Sequence, residues 1–183
     1  MSGGTFGRRC RIVAAIVACT AGLVSGPGLW SRAAAADAGG VTGCTATALR
    51  LTVRGLGDAA GSSYYSIDLT NMSSRTCTLE GYPRVSFVSA PDGHRLGARA
   101  GHDPVYPGRR VILRSGRGAH ARLRVGTAPD YPVAACHPVT VRWIRVRVRA
   151  AAGSLYASFA GTTCELPATP ILSVARLQPG WGA

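Results

Sequence analysis

The sequence predicts an all-β fold: an antiparallel two-sheet sandwich of about eight or nine short strands, held by two disulfides. Three observations predict it. Short segments alternate apolar and polar residues with period two, the mark of a half-buried strand. Turn-forming clusters punctuate those segments at short intervals. Beyond an N-terminal leader the chain keeps four widely spaced cysteines, and no segment after residue 40 sustains a helical period.

The leader comes first. Arg8, Arg9 and Arg11 precede an apolar run from Ile12 to Val24, broken only by Thr20 and Gly22, and Ala33 to Ala36 supply small residues before Asp37. A positive start, a short apolar middle and a small-residue site form the secretory pattern. The run holds 13 residues, short of the ~20 that span a bilayer. Residues 1–36 are therefore read as a signal peptide cleaved after Ala36, 37–43 as a short linker, 44–178 as the domain and 179–183 as a C-terminal tail. Two alternatives stand beside the secreted form. Arg8-Arg9 matches a twin-arginine signal poorly. Ile16-Val17-Ala18-Cys19 resembles a lipobox, which would anchor the protein by a lipid on Cys19 to the outer face of the cell membrane.

Strands are expected at Leu49 to Val53, Tyr64 to Thr70, Arg84 to Ser89, Arg110 to Arg114, Ala119 to Val125, Val139 to Arg149, Ser154 to Phe159 and Ile171 to Arg176, with a short edge strand over 94–99. Pro91-Asp92-Gly93, Pro107-Gly108, Gly116-Arg117-Gly118 and Ala152-Gly153 supply turns between them. In the Val139 strand the apolar phase changes from odd to even positions at Trp143-Ile144, which predicts a β-bulge there. Strands of this number and spacing suit an immunoglobulin-like sandwich.

Cys10 and Cys19 leave with the leader, so Cys44, Cys77, Cys136 and Cys164 remain. An even number in an exported chain predicts two disulfides. The closest two are 28 positions apart, unlike the close ligand pairs of zinc sites. If successive strands alternate in direction, all four cysteines fall at one end of the sandwich, and all three pairings stay open.

Cys44, Gly61-Ser62, Tyr64, Leu69-Thr70-Asn71, the run Cys77-Thr78-Leu79-Glu80-Gly81-Tyr82-Pro83, Val85, Asp92-Gly93, Cys136 and Cys164 together resemble the actinobacterial exported family catalogued as domain of unknown function 4232. The resemblance covers roughly residues 44 to 176. It implies an exported or lipid-anchored β domain of this length, and no activity. One departure is Arg114-Ser115-Gly116-Arg117-Gly118, where the family usually carries a proline-glycine turn.

All 21 basic residues are arginine, and the formal net charge is +13. After residue 36 there are 17 arginines against 8 acids, a net charge of +9. Such a surface favours anionic partners: an anionic cell-wall polymer or a membrane surface. The plainer reading is a solvated basic face shaped by coding bias. Nucleic acid is not expected, since no recognition motif is present and aromatics are few. Whether a protein partner exists is left open by the sequence.

The absence of lysine excludes a P-loop, a Schiff-base lysine and the S-x-x-K acylating motif. No G-x-S-x-G or H-E-x-x-H occurs, and His94, His102, His120 and His137 are scattered. His102 and Asp103 are neighbours, so in extended chain they point apart. Asp68 is expected on an exposed strand face and Glu80 in a solvated loop; nothing pairs them at the separation glycosidic chemistry needs. No catalytic residue, cofactor or metal site is therefore expected, and the chain is read as non-enzymatic.

Two candidate binding features remain. Arg145, Arg147 and Arg149 share one strand face, which Arg122 and Arg124 join if their strands are neighbours. The Cys77–Pro83 loop offers Thr78, Glu80 and Tyr82 for recognition. Its structural reading has Cys77 fixing the loop, Leu79 in the core, Gly81 in a special backbone angle and Tyr82-Pro83 leading into the next strand. The function expected is binding at or near the cell envelope. A small secreted hydrolase with an unconventional site and a purely structural envelope module are the alternatives.

Overall fold

A computed structural model describes residues 40–149 and 153–182. The leader, its cleavage site and Cys19 lie outside the described residues. Twelve strands follow in chain order: β1 Leu49–Ala59, β2 Ser62–Asn71, β3 Cys77–Glu80, β4 Arg84–Val88, β5 Arg95–Leu96, β6 Gly101–Asp103, β7 Arg110–Leu113, β8 Gly118–Gly126, β9 Pro138–Arg147, β10 Leu155–Cys164, β11 Leu172–Ala175 and β12 Gln178–Pro179. One short helix, α1 Val133–Cys136, and two single 3-10 turns interrupt them.

The strands form a sandwich. One sheet runs β1-β2-β8-β11-β6, with β12 also on β8; the other runs β10-β9-β4-β5; β3 and β7 form a separate ribbon. Pairing is antiparallel except for β11 with β6. The core lies between the sheets. The larger contributes Ile67, Leu69, Ala121, Leu123 and Val174, and the smaller Val85, Phe87, Val141, Ile144 and Val146, all buried. Phe159 bridges them, with its ring 4.9 Å from Tyr65 and 4.7 Å from Phe87. Each such large side chain contributes about 1.5–3 kcal/mol by leaving water.

The inward phase of β9 does change between Val141 and Ile144. The bulge itself lies on the partner strand. Ser158 pairs with Trp143 and Gly161 with Val141, so β10 places Phe159 and Ala160 opposite Arg142 alone. The extra residue turns Phe159 into the core. A second bulge, at Leu56 of β1, falls between Gly55 and Gly57.

The two disulfides are Cys44–Cys77 and Cys136–Cys164. They do not share one end. Cys44 precedes Leu49, which pairs with Asn71 beside the start of β8. Cys136 follows the end of β8, and its bridge joins the start of β9 to the end of β10. The assumed alternation fails because β2 and β8 are antiparallel neighbours. Five strands lie between them, an odd number that strict alternation would make parallel, so at least one connection passes between sheets or ribbon without reversing direction.

Asp68 is also not exposed. It is 3% accessible and accepts from Arg54 Nε at 2.9 Å, Ser66 Oγ at 2.9 Å and Gly182 N at 3.0 Å. The closing segment covers it: β12 pairs with β8, Arg54 donates to the Gly182 carbonyl, and Trp181 Nε1 donates to Thr70 Oγ1 at 3.4 Å.

Candidate functional site

The segment Cys77–Pro83 behaves as its alternation dictates. Cys77 and Leu79 turn inward, Thr78 is partly covered and Glu80 is exposed at the end of β3. Gly81 then takes φ +77°, a left-handed value that costs a residue with a Cβ roughly 1 kcal/mol or more. Its carbonyl accepts from Leu177 N at 3.0 Å. This reversal sets Tyr82 at a surface and delivers Pro83 to the entry of β4, where a missing N–H is tolerated.

Tyr82 organises an aromatic and cationic group. The His102 ring stacks on it at 3.9 Å with 4° between planes, and the Arg176 guanidinium lies 5.0 Å from its centroid. Gly108 makes room for that guanidinium: a Cβ at this position would stand 2.8 Å from Arg176 Nη1.

These residues form one wall of an open cleft of about 1100 Å³, where β3 ends, β4 begins and β9 ends. Six arginines line it: Arg84, Arg109, Arg110, Arg147, Arg149 and Arg176. Among the described residues Glu80 is the one carboxylate on its lining, 3.7 Å from Arg110 in an exposed pair. Such a pair contributes little to stability and offsets one positive charge. Arg84 and Arg147 are direct cross-strand partners. Like charges so placed repel, and a guanidinium offers five donors in a planar fork suited to carboxylate or phosphate oxygens.

Of the arginines anticipated as one face, Arg147 and Arg149 line this cleft and Arg145 lies one rung along β9, donating to Ser86 Oγ at 3.4 Å. Arg122 and Arg124 do not join them. They sit on β8 in the other sheet, and β8 and β9 are not neighbours. Arg122 is turned instead to Asp103 at 3.3 Å and to the rings of Tyr64 and Tyr106. Of the loop candidates, Glu80 and Tyr82 line the cleft. Thr78 does not; it donates to the Thr42 carbonyl through both N and Oγ1, tying down the segment around Cys44. His102 and Asp103 diverge, one to Tyr82 and the other to Arg122.

Sequence reasoning missed Arg84, Arg109, Arg110, Arg176 and the role of His102. Arg84 carried a usable signal, since it opens a predicted strand immediately after Tyr82-Pro83. The rest come from distant parts of the chain, and only sheet order brings them together.

Among the described residues no group of three or more His, Cys, Asp or Glu is placed to hold a metal ion, and no helix is long and apolar enough to cross a membrane. The paired cysteines suit an oxidising environment such as the extracellular space. Compared with known proteins, the chain matches one family model, described as Domain of unknown function (DUF4232), over residues 44–178. No curated protein and no solved structure matches it.

Proposed function

We propose that this chain, which belongs to the DUF4232 family, is an exported, non-enzymatic domain that binds an anionic ligand at the cell envelope through its arginine-lined cleft. One observation carries the reading: six arginines converge on a single concave site whose lining holds one carboxylate. Concentrating like charge in this way is unfavourable in the free protein. An anion entering the cleft replaces repulsion with charge-assisted hydrogen bonds, roughly twice as strong as neutral ones. The leader and the two disulfides support an exported site of action, where anionic envelope polymers are within reach.

The test is retention of the purified protein on isolated cell wall. Replacing Arg84, Arg147 and Arg149 by Ser should abolish salt-sensitive retention. A charge-matched control, with exposed Arg50, Arg124 and Arg142 replaced by Ser, should keep most of it. Equal loss in both variants would reduce the effect to overall charge, and unchanged retention in the cleft variant would remove the site.

A further inference from the structure

Beside the cleft lies a second, smaller depression of about 30 Å³, lined by Arg84, Val85, Ser86, Arg99, Arg145 and Arg147. Arg84 and Arg147 line both, so the two depressions adjoin across this pair and together hold eight arginines. Among the described residues the smaller has no carboxylate on its lining. The geometry is that of adjacent strands. Arg84 opposes Arg147 across β4 and β9, and Ser86 opposes Arg145 on the next outward rung, about 7 Å further along. Arg147 Nε donates to Ser154 Oγ at 2.7 Å and Arg145 Nη2 to Ser86 Oγ at 3.4 Å. Each contact uses one donor of its guanidinium and steadies the side chain.

We propose, resting on the cleft reading above, that the ligand is a linear polyanion. It runs from the cleft across the Arg84–Arg147 rung into the trough at Arg99 and Arg145. A single small anion fills one subsite and leaves the next rung's positive charge uncompensated. A bilayer is flat and meets a concave site poorly. A chain with repeated anionic groups engages both subsites, the second as an intramolecular event at high effective concentration. Phosphate and carboxylate chains share the chemistry that guanidinium forks recognise.

Calorimetric titration of the purified protein with orthophosphate, triphosphate, long-chain inorganic polyphosphate, polygalacturonate and phosphatidylglycerol vesicles tests this. Per anionic group, affinity is expected to rise at least tenfold from triphosphate to one of the two polymers, and the tighter polymer assigns the anion. Replacing Arg99 and Arg145 by Ser should remove that gain with length and leave triphosphate affinity in place, with an unchanged circular dichroism spectrum. Triphosphate binding with no gain on lengthening, or vesicles binding as tightly as the polymers, would overturn the linear-chain inference alone. No binding of any anion, short or long, would overturn the cleft reading as well.

Discussion

At the scale of single residues, the cleft depends on a side chain that is absent. Gly108 lets the Arg176 guanidinium lie against the backbone and over Tyr82. A methyl group there meets only the far end of a flexible side chain, so Gly108→Ala should change stability by no more than about 0.5 kcal/mol. It should nonetheless displace Arg176 and weaken binding of an anionic polymer several-fold; calorimetry and urea denaturation read the two effects separately. Asp68 is the opposite case, remote from the cleft. Asp68→Ala strands Arg54, Ser66 and the Gly182 amide, and should cost about 2–3 kcal/mol, visible as a lower urea midpoint. Arg54 is half exposed and keeps access to water, so its share of that loss is small. Its sequence neighbours suggest an exposed Asp68, because Ser66 and Asp68 alternate with Ile67 and Leu69 on β2. What alternation does not carry is the cover: Gly182, more than a hundred positions away, closes over that polar face.

At the scale of elements, strands of five or more residues were legible wherever one face is buried, since period two survives there. β3, β6 and β12 have four, three and two residues, and β6 and β12 sit among the glycine and proline that mark turns. β3 was masked by the punctuation of Cys77-Thr78 and Gly81. Both bridges fall at one end only under strict alternation of strand direction, which the antiparallel pairing of β2 with β8 breaks. The bridges span separations of 33 and 28 residues, and each should contribute roughly 3–4 kcal/mol by restricting the unfolded chain. The double variant Cys44→Ser, Cys77→Ser should lower stability by that amount. So should Cys136→Ser with Cys164→Ser. That second bridge joins the start of β9, some 30 Å of strand from Arg147, so its loss should leave polymer affinity intact at temperatures where the protein is folded. Denaturation curves, disulfide mapping by mass spectrometry and a binding titration check all three points.

At the scale of the whole molecule, composition gave an excess of arginine but not its placement. The alternation of β9 carried Arg145, Arg147 and Arg149. Arg109 and Arg110 follow a turn, Arg176 follows β11, and Arg99 stands between two short strands. Their convergence is a property of sheet order, which no local pattern in the chain encodes. The central claim is that charge is focused in one cleft rather than spread over a basic surface. The side-chain Nε–H resonances of arginine, followed by NMR during titration with long-chain polyphosphate, test that claim most directly. Saturable shifts are expected at Arg84, Arg147, Arg149 and Arg176, with Arg50, Arg124 and Arg142 nearly unmoved. Shifts of similar size at both sets, growing without saturation, would contradict it.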